Sequence, residues 1–346
     1  MTVASSERSA RTARQVLAEA GAVTLPALRR AVDGLPGRIR HLVGVHFGWW
    51  DLTGAPSAGS DGKALRPALA LLASAAAGGG PETGVPAAVA VELVHNASLL
   101  HDDIIDQDRL RRGRPALWAQ LGVPAAILAG DALFFLATRV LAETPPPLGE
   151  AAAGQLTAAV QQLIDGEYAD ILLESRAAVS VAECEAMAAG KTGSLIAAAC
   201  GLGALAAGAD EERVGHLRAF GTHVGVAFQL VDDCLGIWGD PVRTGKPAGS
   251  DLAARKKSLP IAAALGSGGT AGDELRRLYA RPEPLSPAEV ARAADLVAAT
   301  GSLTWAVEQA DQHIQRAMDR LNAAGPDPTA AAELIALTQF VTGRDH

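Results

Sequence analysis

Aromatic residues are scarce in this 346-residue chain, at 4%, and no segment alternates apolar with polar side chains. That argues against a sheet-built fold, because strands draw on β-branched and aromatic residues at period two. Cysteine is scarcer still. Cys184, Cys200 and Cys234 are odd in number and form no C-x-x-C pair, which argues against a disulfide scaffold and fits a reducing cytoplasm. The opening MTVASSERSARTARQ lacks the apolar core of a secretory signal. Positive charge is in deficit, 30 Lys and Arg against 38 Asp and Glu, for a net −8. No general basic field therefore invites nucleic acid, and an anionic substrate needs local cations or metal ions. The run from Thr192 to Ala209 carries no charge, but it is mostly Ala and Gly with three Leu and one Ile. Its drive into lipid is weak, so it reads as a buried core helix and the chain as lacking a transmembrane segment.

What is present is helix-forming. Apolar residues make up 49% of the chain, enough for a large core, and Ala, Leu, Glu, Arg and Gln fill long stretches. Pro and Gly clusters such as TGAPSAGSDG, GGGPETGVP and ETPPPLGE divide helical runs without marking a domain linker. SPAE at Ser286 to Glu289 reads as a capping box with Pro at the first helical position. Residues 1–18 are polar and read as a flexible segment; residues 19–346 read as one all-α domain.

The chemistry concentrates in LLHDDIIDQDRLRRGRP. Asp102 and Asp106 are four apart, so on a helix their carboxylates share one face, with Asp103 beside them. Val89, Leu93, Ala97, Leu100 and Ile104 recur at helical spacing and support that placement. Carboxylates so close repel one another unless a cation lies between them. Oxygen-only ligands suit Mg²⁺, which keeps waters and shares substrate phosphates. Arg111 and Arg112 follow, and guanidinium groups match phosphate oxygens. By itself D-D-x-x-D is a weak signal, equally the mark of a solvated acidic patch.

A second acidic pair, Asp232 and Asp233, ends a hydrophobic helix and precedes a Gly-rich loop with Lys246 and Asp251, then Arg255, Lys256 and Lys257. Upstream, DGKALRPAL sets Lys63 and Arg66 three apart, and GKTGS supplies Lys191 and Thr192. Neither Gly-Lys element has the G-x-x-x-x-G-K-[ST] spacing of a nucleotide loop. Each basic pair alone is most simply a solvated helix end. Two acidic and four basic clusters in one helical chain need a shared explanation, and a diphosphate clamped by several Mg²⁺ ions and cations supplies one.

From about residue 30 to the C-terminus, the sequence resembles the trans-isoprenyl diphosphate synthases. The resemblance implies a helical bundle of the isoprenoid-synthase type around a deep central apolar cavity. It also implies a Mg²⁺-dependent condensation of isopentenyl diphosphate with an allylic diphosphate by ionisation, condensation and elimination. By resemblance Asp102 and Asp106 hold two Mg²⁺ ions against the allylic diphosphate, and Asp232 holds a third, with Asp103 and Asp233 alongside. Gly62, Lys63, Arg66 and Pro67 match G-K-x-x-R-P, and with His95 and Arg112 would bind isopentenyl diphosphate. Arg111, Lys191, Thr192, Gln229, Lys246 and Lys256 match residues near the allylic diphosphate, and Phe228 opens the F-Q-x-x-D-D element. The resemblance also implies a homodimer, with Gly130–Leu141 and Leu156–Leu173 as the apolar helices it would bury. HFGWWD at His46 to Asp51 resembles a subgroup that includes cargo of encapsulin nanocompartments, with the N-terminus as the docking tail.

Two positions depart from the pattern. Gly236 stands where the second motif usually has a third Asp, and Ala64 where many relatives carry Arg. They leave open a synthase-like regulatory subunit whose partner does the chemistry. A terpene cyclase needs N-x-x-x-S-x-x-x-E, but four residues beyond Asn96 and Asn322 stand Leu100 and Pro326, so that motif cannot be built. Product length is read from the helix. His95, Asp102 and Asp106 lie within about 40° of one another, with Ser98 ~40° off Asp102 and ~6 Å deeper, and Val91 and Val94 beyond. The family places aromatic rings at the positions of Ser98 or Ala97 when it stops at farnesyl. Small residues here favour geranylgeranyl diphosphate or longer over farnesyl diphosphate. Phe134, Phe135 or Trp118 are the alternative floors of such a tunnel.

Overall fold

The computed structural model describes residues 10–57, 62–176, 178–240 and 248–343, and is all-α apart from one two-stranded hairpin and an isolated bridge. Lys246 and residues 1–9, the expected docking tail, lie outside the described residues. Contacts cluster into two compact units. The first takes the chain to Val160 with Ala198–Arg218 and Leu321–Leu337; the second takes Gln161–Ala197, Ala219–Arg320 and Thr338 onward.

In the first unit, α1 (Ala13–Asp33) begins inside the segment that its polarity marks as flexible. Thr12 and Gln15 form a capping box, Ala13 and Val16 are buried, and Arg11 reaches Glu333 at 2.6 Å. The polar start is thus consumed by a cap and an ion pair rather than left in water, and residues 13–18 are helix. Then come α2 (Gly37–Phe47), α3 (Leu65–Ala76) and α4 (Val85–Ile105). Pro86 in the first turn of α4 loses no helical hydrogen bond there. Leu93, Val94, Ala97 and Leu100 bury one side of α4, which packs on α1, α3 and α6 (Val123–Ala142). Between α4 and α6 lie the hairpin β1 (Leu110–Arg111) and β2 (Arg114–Pro115), then short α5 (Leu117–Leu121). The hairpin turns on Arg112 and Gly113, both at positive φ, the backbone a two-residue turn requires. The sequence pattern did not reveal it.

The second unit begins within α7 (Gly149–Ser175) and continues through α8 (Val181–Ala188), a π-helical turn (Ala189–Gly193) and the start of α9 (Ser194–Ala206). It holds most of α10 (Glu211–Trp238), then α11 (Ser250–Ala253), α12 (Leu259–Gly266), α13 (Gly269–Tyr279), α14 (Pro287–Ala299) and most of α15 (Ser302–Ala323). The capping box at Ser286 and Glu289 forms as expected. One core gathers Cys184, Met187, Val226, Leu230 and Leu259; another gathers Ile237, Leu252, Ile261 and Leu296. Among the described residues, two helical runs are long and apolar enough to cross a bilayer by length and composition, Val181–Ala206 and Val123–Ala142. The first is 78% buried over its most apolar window, in keeping with a core helix; the second is only 39% buried.

Candidate active site

In the first unit, the acidic motif lies where α4 ends. Asp106 caps the helix, its N–H bonding to the Asp102 carbonyl at 2.8 Å, and Gln107 then turns the chain with φ 55°. Asp102 is half-buried and Asp106 exposed, one turn apart at the end of α4. Asp103 points the other way and is 1% exposed. It accepts from Arg111 Nε at 2.7 Å and also pairs with Arg111 Nη2. Burial pushes the Asp103 carboxyl up, against the pull of Arg111. Its geometry is that of a brace for Arg111.

The basic set of this unit comes together. Ala64, at φ 50°, starts α3, so Lys63 precedes the helix and Arg66 sits in its first turn. A Cβ on Gly62 would come 2.6 Å from the Arg112 guanidinium, so the G-K-x-x-R-P element and the hairpin lie in close contact there. Arg66 is half-buried, and its buried Nε has no hydrogen-bond partner among the described residues. Burial lowers its pKa, while the charges of Glu92 and Asp102 oppose the shift. Desolvation, with Arg66 and Arg112, holds the His95 imidazole well below its ordinary value, so it is neutral at pH 7. Lys63 is exposed. A cavity of about 280 Å³ adjoins this set, lined by one face of α1, Phe47, Gly62, Ala64, Pro67, Glu92 and Arg112.

The half-open stripe of α4 runs Glu92, His95, Leu99, Asp102 and then exposed Asp106, while Ala97 and Val94 are fully buried and Ser98 is 9% exposed. Ser98 thus lies at the stripe's buried edge, and its hydroxyl donates to the His95 carbonyl at 2.9 Å. Phe135 is 79% exposed and floors nothing within its unit; Phe134 is half-buried beside His101, and the Trp118 indole donates to the Asp108 carbonyl.

In the second unit the local backbone explains the site. The π turn interrupts what would be one continuous helix, and such turns recur at functional positions. Two glycine contacts draw the neighbouring helices in. A Cβ on Gly166 would lie 2.2 Å from the Lys191 nitrogen, and one on Gly225 would lie 2.6 Å from the Gly193 Cα. Lys191 consequently meets α7, with Nζ 2.6 Å from Asp170 and 2.9 Å from Glu167. Burial would lower its pKa, but the two carboxylates outweigh that and raise it. On the other side the Thr192 hydroxyl donates to Gln229 at 2.7 Å, and Gln229 Nε2 donates to Asp233 at 2.7 Å. The Leu259 N–H closes the chain onto Asp233 at 2.9 Å. Burial pushes the Asp233 carboxyl up to about 7. Asp232, one residue earlier, is exposed. Lys256 is half-buried, its N–H bonded to the Asp251 carbonyl at 2.9 Å. Asp251 fills the space beside Gly236, where a Cβ would meet its carboxylate at 2.2 Å.

Sequence reasoning did not single out Glu92, Asn96, Glu167 or Asp170. Glu167 and Asp170 lie three apart on one helix, a spacing that was visible, but only the π turn brings Lys191 onto them.

The polyprenyl synthetase family model matches residues 55–297 of this chain. The (2E,6E)-farnesyl diphosphate synthase of Mycobacterium tuberculosis is 43% identical over 98% of this chain and 95% of its own length. A geranylgeranyl diphosphate synthase of the same organism is 44% identical over 92% of this chain and 91% of its own. Among solved structures, a polyprenyl synthetase from Streptomyces coelicolor superposes with a TM-score of 0.90 at 45% identity, covering 94% of this chain and 98% of the other.

Proposed function

The chain belongs to the polyprenyl synthetase family, and on that premise we propose that it condenses isopentenyl diphosphate with an allylic diphosphate to give geranylgeranyl diphosphate or a longer product. It is a trans-prenyltransferase. The observation that carries the substrate reading is the contact of Gly62 with Arg112, which gathers cations for a second diphosphate beside a neutral His95. A cyclase, with one diphosphate to handle, has no use for them.

The residues fit divalent magnesium. Asp102, Asp106 and Asp232 offer oxygen only and are not buried away from solvent. Among the described residues no three His, Cys, Asp or Glu side chains close into a cage. An ion that keeps its waters and shares phosphate oxygens suits so open a ligand set. We assign three ions to these three carboxylates. When bound, Mg²⁺ stabilises the charge developing on the departing diphosphate.

The protein's own groups do the positioning. Lys63, Arg66 and Arg112 hold the diphosphate of isopentenyl diphosphate, and neutral His95 contributes a hydrogen bond. Asp103 fixes Arg111 toward the allylic diphosphate, and Glu167 and Asp170 fix Lys191. The chain Thr192, Gln229, Asp233 sets the end of the second motif beside Asp232. Lys246 and Lys256 complete the cation set by family resemblance. Positioning puts the double bond of isopentenyl diphosphate in line with the allylic carbon, and the leaving diphosphate takes the proton in the elimination.

Ala97 and Ser98, small where an aromatic ring would stop the chain at farnesyl, support the longer product, with Val94 deeper on the helix. The exposed Ile127, Leu128 and Phe135 of α6 support a homodimer that covers them. Three free cysteines support a reducing cytoplasm. Incubating the purified chain alone with both diphosphates and Mg²⁺, and reading the product by mass, tests the proposal. A product of twenty carbons or more is expected; no turnover without a partner protein would favour the regulatory-subunit reading.

A further inference from the structure

The segment HFGWWD is tightly built. Phe47 and Trp49 stack at 4.6 Å, the Arg29 guanidinium lies 4.9 Å from the Trp49 ring, and the Trp50 indole donates to the His41 carbonyl at 3.1 Å. A Cβ on Gly44 would sit 2.0 Å from the Trp50 ring. His46 lies edge-on to the Phe47 ring, centroids 5.7 Å apart, and reaches two separate parts of the first unit.

Its side chain reaches α4. His46 Nε2 lies 3.2 Å from Asn96 Oδ1. Asn96 is 1% exposed, and its amide donates to both the carbonyl and the carboxylate of Glu92, each at 2.8 Å. With both amide protons spent on Glu92, Asn96 can only accept from His46, so the imidazole carries a proton on Nε2. Burial pushes His46 down to about 3, so the ring is neutral. Glu92 in turn acts electrostatically on Arg66.

Its backbone reaches the hairpin. The His46 carbonyl accepts from Arg114 Nη2 at 3.1 Å, and Gly48 leaves the room, since a Cβ there would meet the Arg114 guanidinium at 1.9 Å. Arg114 pairs across the hairpin with Arg111, and Arg112 is the turn between them.

We propose that His46 is a positioning residue that sets Arg66 and Arg112 at one spacing, its imidazole acting through Asn96 and Glu92 and its carbonyl through Arg114. The inference rests on the reading that these two cations bind isopentenyl diphosphate. It assigns the H-F-G-W-W-D segment a role in substrate affinity.

The test compares His46→Phe, which keeps the ring and loses the donor, with His46→Gln, which keeps a neutral donor. Steady-state constants are measured for both substrates, and isopentenyl diphosphate binding by calorimetry without turnover. His46→Phe should raise KM for isopentenyl diphosphate and weaken its binding about fivefold, the loss of one hydrogen bond, while KM for the allylic diphosphate and kcat stay within about twofold. His46→Gln should recover most of the loss, and His46→Phe added to Asn96→Leu should cost little beyond Asn96→Leu alone. A lower melting temperature with unchanged isopentenyl diphosphate affinity would overturn the proposal, as would equal changes in both KM values. If wild type binds no isopentenyl diphosphate at all, the functional reading itself fails, a result distinct from either.

Discussion

Restoring the missing acid, Gly236→Asp, is the most informative single perturbation. The position lies in ordinary helical backbone of α10, where glycine costs about 1 kcal/mol relative to alanine. A Cβ there would come 2.2 Å from Asp251 Oδ2 and 2.5 Å from its Cγ. Asp251 would have to retreat by about 1 Å to reach ordinary contact. Overpacking of that kind costs about 1–3 kcal/mol, so Gly236→Ala should lie between neutral and ~2 kcal/mol destabilised. Aspartate adds like charge. Two carboxylates ~4 Å apart repel by ~1 kcal/mol in water and ~4 at an effective dielectric near 20, and both positions are half-buried. Gly236→Asp should therefore destabilise the metal-free protein by about 1–6 kcal/mol in urea denaturation. Asp251→Ala in the same chain should return at least ~1 kcal/mol of that as coupling. Mg²⁺ should recover part of the loss by lying between the carboxylates, and Mg²⁺ dependence of turnover should shift modestly. A single variant as stable as wild type, or a double variant with no coupling, would refute the steric and electrostatic argument. A wild type that stays inactive until residue 236 becomes Asp would instead favour the regulatory subunit.

Asp102→Ala and Asp232→Ala should each lower kcat by ~10²–10³ or more while circular dichroism is unchanged, and EDTA should abolish turnover reversibly; near-normal rates in EDTA would contradict the metal assignment. The Asp233 carboxyl, raised from 3.8 to about 7, keeps its proton in the folded state while the unfolded chain has lost it, so its contribution to stability declines as pH rises from about 4 to 7. His46, His95, His223 and His313 are all held below their ordinary pKa and tilt part of that window the other way. The measurement is thus the difference between wild type and Asp233→Asn, whose relative stability should rise by up to ~1.4 kcal/mol per pH unit and level off above about pH 7. Ser98→Phe should shorten the product by filling the stripe's edge, at a strain of ~1–3 kcal/mol; a wild type that stops at fifteen carbons would show that the floor lies elsewhere. Phe135→Asp should shift the chain from dimer to monomer in sedimentation at micromolar concentration, and a wild-type monomer would contradict the proposed dimer.

Much of the site was legible because its chemistry is carried by short motifs on helices. The spacing of Asp102 and Asp106 lies where helical periodicity places it, while the G-K-x-x-R-P element and the paired Asp232 and Asp233 stood out through resemblance to family motifs. What periodicity does not carry is partner choice. Asp103 and Asp102 are adjacent and chemically identical, yet the helix turns one into the interior, where Arg111 awaits it. Polarity likewise misplaced the start of α1, because Arg11 and Thr12 find partners that composition cannot display. Asp251 beside Gly236 is a third case, since a side chain fifteen positions on occupies space that the motif's own residue leaves empty.

The π turn at Ala189–Gly193 has an evolutionary consequence. It amounts to one extra residue in a helix, so losing a single codon there would relax the backbone to ordinary α geometry. Because the extra residue is absorbed within the turn, the helix beyond it would keep its faces, and the residues inside the turn would be the ones redirected. Lys191 and Thr192, which now reach α7 and α10 from opposite sides, could not both keep their partners. Reading-frame-preserving deletions should therefore be purged from these five residues even though each would leave a better helix, and an alignment that closes the gap for the sake of a clean helical wheel would misplace Lys191 and Thr192 while leaving α9 in register.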